Sequence, residues 1–286
     1  MESTFKSLLP KFIKDLKEKG RSPSTILAYR ADLEQLISFL GQERKNLPHE
    51  VATGNLESFR DALLAEKYTP KSTSRKLNAV KTFFRWLKNE RVIDSDPSKD
   101  VSHPKIETSM PQFLSQLEYR ALRDVCRGDI RCAAIIELML QTGLRISEVA
   151  NLETVNIDPN EITIKAYATQ PERKIPLNRP AKEALTNYLN QKPKTESQFV
   201  FISKNGNSLA VRNIRATIDR YMQKAQVPNY SVNDLRTTFI VENLKAGVDL
   251  VLISKSVGHK RLSTTERYLE LAGVKESGKK QELEEL

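Results

Sequence analysis

The sequence predicts a mainly α chain with a small antiparallel β-sheet, divided into two domains. Three observations carry this reading. Apolar residues recur at helical spacing through the first ~100 residues and again over much of the C-terminal half. Strand-like alternation is confined to 155–177. Between the halves, 94–109 holds Asp96-Pro97 and His103-Pro104, few apolar residues and no period, as a linker does. The expected division is a helical domain over 1–93, a linker over 94–112, and a mixed α/β domain over 113–286 that includes a charged tail. A chain of 286 residues is long enough for two substantial cores.

Four helices follow in the first domain from apolar period and caps. Phe5, Leu8, Leu9, Phe12, Ile13 and Leu16 form one stripe, with Pro10 as a point of bending. Ser22 as N-cap and Pro23 at the first helical position open a second helix, with Ile26, Tyr29, Leu33, Leu36, Ile37 and Leu40 facing inward. Leu56, Phe59 and Leu63 mark a third, after a loop that contains His49. Thr69-Pro70 repeats the cap-plus-proline start for a fourth, with Leu77, Val80, Phe84 and Leu87 inward. The same helix carries Lys71, Arg75, Lys76, Lys81, Arg85 and Lys88, a face suited to solvent or to phosphate contact.

In the second domain, Leu114-Ser115 with Glu118 combines a hydrophobic staple and a capping box. The run 133–140 is apolar on nearly every face and too short to span a membrane, so it reads as a buried core helix ended by Gly143. Segments 155–157, 161–167 and 173–177 alternate as short strands, with turns at Asp158-Pro159-Asn160 and Thr169-Gln170-Pro171. Helices return at 180–189 and 211–225, the latter with Ile214, Ile218, Tyr221 and Met222 inward. Later helices hold Arg236 and Phe239, cover 250–257, and begin again at about Ser263, where Ser263 with Glu266 reads as a capping box. That start places Tyr268 near the positive end of its helix, which favours an anion. The tail, 275–286, is highly charged and reads as a disordered end or as a segment that docks on a neighbour.

The net charge of +10 points toward a polyanionic partner without specifying one. Cys126 and Cys132 lack metal-ligand spacing and read as small reduced core residues of a cytoplasmic protein. With only three histidines, no metal site or other cofactor is expected. The N-terminus interleaves lysines with apolar residues and does not read as a signal peptide, and no stretch approaches the ~20 apolar residues of a membrane span.

Four short segments carry the chemistry. Arg145 in Thr142-Gly143-Leu144-Arg145-Ile146-Ser147-Glu148 emerges where the core helix meets the surface, with Glu148 as its natural partner. Asn233-Asp234-Leu235-Arg236 opens a helix and puts Asn233 and Arg236 on one face. Gly258-His259 sits at a turn, and Tyr268 follows nine positions after the histidine. Two arginines, a histidine and a tyrosine at the edges of apolar elements suggest convergence on one phosphate.

This combination resembles the tyrosine recombinases, also called the phage-integrase or Xer-type family. The similar pieces are T-G-L-R-I-S-E at 142–148, D-L-R at 234–236, G-H at 258–259 and S-T-T-x-x-Y ending at Tyr268. Ser22-Pro23-Ser24-Thr25 and the helical run after it look like the start of the family's N-terminal core-binding domain. The resemblance implies a tyrosine-recombinase catalytic domain in the second half and a clamp of two domains around duplex DNA. It implies a site-specific DNA recombinase acting by integration, excision or resolution through a 3′-phosphotyrosyl intermediate, without metal or nucleotide. Its partners would be double-stranded DNA recombination sites, with a homotetramer on two such sites and accessory proteins as further partners.

The catalytic set implied is Arg145, Lys165, Asn233, Arg236, His259 and Tyr268. The two guanidinium forks neutralise phosphate oxygens and Tyr268 attacks the phosphorus. His259 donates to a phosphate oxygen or assists the tyrosine proton. Two departures stand out: Asn233 and Thr237 occupy positions where the family usually has histidine. Asn233 donates a hydrogen bond but carries no proton near neutral pH. The family's leaving-group lysine has no match in the turn 167–170, leaving Lys165 on the preceding strand, with Lys174 as the alternative. A catalytically impaired, sequence-specific DNA-binding protein of the same fold is the main rival reading. A relaxing topoisomerase would act without a specific site, and a phosphatase would need a nucleophile signature that the chain does not show.

Overall fold

The computed structural model describes residues 4–107, 110–167, 170–275 and 277–286. It divides into two compact units, 1–108 and 109–286.

The first unit holds α1 (Phe5–Glu18), α2 (Pro23–Gln42), α3 (Thr53–Ala65) and α4 (Pro70–Asn89). Thr4, Ser22 and Thr69 each accept a backbone N–H at the N-cap, and proline occupies the first turn of α2 and α4. α1 continues through Pro10 as one helix. Phe5, Phe12, Phe83 and Phe84 anchor the core, with Phe12 5.0 Å from Phe83 between ring centroids.

One expectation for this unit is corrected. The basic face of α4 is partly internal. Lys76 is buried and bonds Asp32 at 3.0 Å and Gln35 at 2.8 Å, and Arg75 also clasps Asp32. Asp32 is buried on α2 and needs both cations to offset its lost hydration. Lys71, Arg75, Arg85 and Lys88 remain exposed. The first part of segment 94–112 packs on this unit. Val101 joins the first core, Thr53 donates to the Pro97 carbonyl, and His103 Nδ1 meets Ser74 Oγ at 2.9 Å.

The second unit begins with α5 (Gln116–Cys126), whose Ser115–Glu118 capping box is formed. α6 (Ile130–Thr142) runs through its centre, buried on most faces, and packs against α5, α8 (Arg179–Gln191), α9 (Val211–Lys224) and α10 (Val232–Lys245). Both cysteines are free and buried in this core. The sheet has two antiparallel strands, β1 (Glu161–Ile164) and β2 (Arg173–Pro176), paired Ile162 to Ile175 and Ile164 to Arg173. Residues 154–156 form a 3₁₀ turn instead of the expected strand, and only Ile157 bridges to Ile162. The expected turn at 169–171 lies partly outside the described residues, but Tyr167 and Gln170 exchange both backbone hydrogen bonds. Val200 and Phe201 are buried without forming a named strand, a packing that sequence period did not reveal.

α10, α11 (Leu250–Val257) and α12 (Ser263–Ala272) share a smaller cluster around Phe239, Ile253 and Val257. The tail packs on its own unit: Lys280 exchanges backbone bonds with Gly247 and Asp249, and Leu283 and Leu286 join the apolar clusters. α12 starts at Ser263 without the expected box. Leu262 is its N-cap and offers no side-chain bond, and the backbone N–H groups of Thr265 and Glu266 both bond the Leu262 carbonyl. Tyr268 therefore lies in the second turn, away from the free amides of the first.

Gly143 links the core helix to the segment that carries Arg145. It ends α6 at φ 62°, and a Cβ there would meet Phe239 Cδ1 at 2.5 Å and Val257 Cγ1 at 2.9 Å. Gly143→Ala combines the left-handed backbone cost with overpacking, an expected loss of about 2–5 kcal/mol. Urea unfolding of the purified variant checks this; an unchanged midpoint would contradict the packing described.

Candidate active site

The site is built on the C-terminal end of α11. Ser256, Val257 and Gly258 present carbonyl oxygens there, the negative end of the helix. Three arginines from three separate elements gather on them. Arg145, between α6 and α7 (Ile146–Ala150), donates to Val257 O at 3.1 Å and Gly258 O at 3.0 Å. Arg236, on the second turn of α10, donates to Val257 O at 2.7 Å and to Gly143 O. Arg173, on β2, donates its Nε–H to Ser256 O at 2.8 Å. The Nε–H groups of Arg145 and Arg236 make no hydrogen bond among the described residues and remain as donors for an anion.

Glu148 ties two of these cations together. One carboxylate oxygen accepts from Arg145 Nη1 at 3.0 Å, and the other from Arg173 Nη2 at 2.7 Å and from the Arg145 backbone N–H at 2.8 Å. Burial alone would raise its pKa, but the Arg173 guanidinium, with Arg145, outweighs that and holds it below the usual carboxylate range. Arg173 is a member that the strand alternation did not single out. Its side chain is only 9% exposed, and it faces inward because its cross-strand partner is Ile164. Gly258 leaves room for it: a Cβ at φ 66° would come 3.1 Å from the Arg173 guanidinium carbon.

Burial, then the nearby Arg145, lowers the Arg236 pKa to about 9, so it stays cationic at neutral pH. His259 follows Gly258, and its Nδ1 lies 2.8 Å from Thr265 Oγ1. Tyr268 lies nearly parallel to the imidazole, with centroids 6.2 Å apart at 11°. Its ring also packs against the α10–α12 cluster. The structure thus brings together Arg145, Arg236, His259 and Tyr268 from four separate stretches of chain.

The other two expected members, Asn233 and Lys165, make no hydrogen bond to this set among the described residues. Asn233 is exposed on the first turn of α10, where its backbone carbonyl accepts from Thr237 and its side chain makes no hydrogen bond among the described residues. Thr237 is buried and bonded back along its own helix. Lys165 bonds Glu153 at 2.5 Å. Lys174 bonds Glu161 at 2.5 Å and lines a crevice with Arg173, Lys255, His259 and Lys260, whereas Lys165 does not line it. No three His, Cys, Asp or Glu side chains cluster as metal ligands among the described residues, and no helix is long and apolar enough to cross a membrane.

Burial, with Arg236, Arg145 and Arg173 nearby, depresses the His259 pKa from 6.5 to about 4. Between those values the unfolded chain binds a proton that the folded chain refuses, so stability falls as pH falls through this window and levels off below it. Replacement by glutamine is expected to flatten this part of the stability profile. Guanidinium unfolding midpoints from pH 4 to 7 check it, and identical profiles for both proteins would contradict a neutral His259.

Residues 112–273 match the phage integrase family, and residues 9–91 match the phage integrase N-terminal SAM-like domain. The chain is 30% identical over 266 residues to the tyrosine recombinase XerC of Oceanobacillus iheyensis, covering 88% of this chain and 87% of that protein. It is 29% identical over 277 residues to XerC of Bacillus subtilis, covering 92% and 91%. In fold it is similar to a lambda integrase in a tetramer bound to a Holliday junction, at a TM-score of 0.76 and 15% identity over 98% of this chain and 81% of that one. Its catalytic and N-terminal segments both match, and the fold is shared; the chain belongs to the phage integrase family of tyrosine recombinases.

Proposed function

We propose that the protein cleaves and rejoins double-stranded DNA at specific sites, with Tyr268 as nucleophile and a 3′-phosphotyrosyl intermediate. The observation that carries this is the convergence of Arg145 and Arg236 on one carbonyl, Val257 O, next to His259 and the tyrosine stacked on it. A phosphodiester resists attack because its negative charge shields the phosphorus. Two guanidinium groups with uncommitted donors neutralise that charge as it builds on the non-bridging oxygens. The Tyr268 hydroxyl gives its proton to solvent and its oxygen bonds to phosphorus as the bond from phosphorus to the 5′ oxygen breaks. The freed 5′ hydroxyl later attacks a phosphotyrosine on the partner strand and releases the tyrosine.

The proton for the leaving 5′ oxygen is assigned to a lysine of the hairpin. Lys174, which lines the crevice beside His259, is favoured over Lys165. Asn233 is assigned a hydrogen bond to a phosphate oxygen, from the same face of α10 as Arg236. The exposed Lys71, Arg75, Arg85 and Lys88 of α4 are assigned to phosphate contact in the first unit. The working assembly is a homotetramer on two DNA sites, an arrangement supported by the lambda integrase tetramer on a Holliday junction.

The test is to trap the protein on a pool of nicked duplexes in the presence of EDTA, denature it, and sequence any DNA that remains attached. Attached DNA on a peptide containing Tyr268 supports the proposal. DNA that binds but never becomes covalent favours the impaired binder, a reading kept alive by Asn233 and by the carboxylate pairing of both lysines. Asn233→Ala is expected to slow single-turnover cleavage about 10- to 100-fold, and Asn233→His to remain active. Equal rates for asparagine and alanine would place Asn233 outside the site.

A further inference from the structure

We infer that Thr265 is a positioning residue: its hydroxyl donates to His259 Nδ1, so that the imidazole carries its N–H on Nε2 and offers it to the phosphate held by Arg145 and Arg236. The inference deepens the recombinase reading and rests on it for the identity of the anion. Thr265 is fully buried, and its Oγ1 lies 2.8 Å from His259 Nδ1. Buried threonines on helices ordinarily discharge their proton onto the carbonyl one turn back, as Thr237 and Thr238 do on α10. Thr265 makes no such bond, and the Arg261 carbonyl four residues back accepts from the Thr264 N–H instead. His259 Nδ1 is therefore the one acceptor for the Thr265 hydroxyl among the described residues. A buried hydroxyl hydrogen without an acceptor is costly, so the hydrogen lies on oxygen and the lone pair on Nδ1.

A neutral imidazole has one N–H, and with Nδ1 accepting, it sits on Nε2. Arg236 from α10, Arg145 from the α6–α7 turn and Arg173 from β2 lie near the ring, Lys174, Lys255 and Lys260 line the same crevice, and Tyr268 from α12 lies parallel to it. The cationic groups and burial keep the ring neutral, and guanidinium donors cannot accept the Nε2 hydrogen. Nε2 has no hydrogen-bond partner among the described residues, so its N–H is left for an anion. This choice separates two roles for His259: a ring protonated on Nε2 donates to a phosphate oxygen there and cannot take the tyrosine proton on that nitrogen. Thr265 lies three residues before Tyr268, so one face of α12 holds both the bond and the stacked ring. Any shift of α12 that withdraws the tyrosine also releases the histidine.

Isotope-labelled protein examined by nitrogen NMR at neutral pH tests this, with His259 assigned among the three histidines by His259→Gln. The expected wild-type signature is an unprotonated Nδ1 and a protonated Nε2. Thr265→Ser should keep it, and the isosteric Thr265→Val should show mixed tautomers and form covalent DNA adduct about tenfold more slowly. A wild-type proton on Nδ1 would overturn the inference. So would a valine variant that keeps one Nε2–H signature and cleaves at the wild-type rate. If the valine variant does not fold, the wild-type and serine spectra decide. The stated tautomer in a protein that never forms adduct supports the Thr265 assignment and defeats the recombinase reading alone.

Discussion

Tyr268→Phe is expected to abolish covalent attachment to DNA, a loss of at least about four orders of magnitude in strand cleavage, while DNA affinity stays near wild type. The substitution removes only the phenolic oxygen. The ring keeps its contacts with the α10–α12 cluster and its stacking on His259, so the fold should be undisturbed. Gel-resolved adduct after denaturation measures the cleavage, and filter binding measures the affinity. Persistent adduct in the phenylalanine variant would place the nucleophile elsewhere and sink the assignment.

Arg145→Ala and Arg236→Ala should each slow cleavage by about 10²- to 10³-fold, since each removes a charged donor worth roughly 3–4 kcal/mol to the transition state. The two also hold the end of α11, and the alanine variants leave carbonyls of Val257, Gly258 or Gly143 unpaired. A stability loss of about 1–3 kcal/mol should accompany the kinetic one, more for the more deeply buried Arg236. The lysine variants separate the two effects. Lysine keeps the charge but cannot reach two carbonyls and an anion together, so cleavage should stay low in a folded protein. Folded Arg145→Lys or Arg236→Lys proteins with near wild-type cleavage would count against a phosphate clamp of this geometry.

Much of this site was legible before any fold was known, because its parts are local. Gly143 and Gly258 end apolar runs in left-handed backbone, and each leaves a site residue at its turn. Glu148 follows Arg145 by three residues, so their ion pair was readable as one helical turn. The cap-and-proline starts at Ser22-Pro23 and Thr69-Pro70 are likewise complete within four residues. The capping box expected at Ser263 shows the limit of such patterns: the right residues stand at the right spacing, yet the turn before them enters the helix through Leu262.

The sequence by itself determined most of the helices, the short antiparallel hairpin and the left-handed glycines that end two of the apolar runs. Those features depend on interactions within a turn or on the period of apolar side chains. The tertiary structure alone decided that Arg173 is part of the site, that Lys76 turns inward to Asp32, that the tail folds back on its own unit, and that Thr265 meets His259. An arginine on a short strand has the same local pattern whether it meets solvent or Glu148. What distinguishes the cases is which buried charge or unpaired carbonyl the packing brings opposite it. For Arg173 that partner lies 83 residues away, at Ser256. The cost of leaving such groups unpaired in a dry interior fixes the geometry, and only the assembled core makes that interior dry.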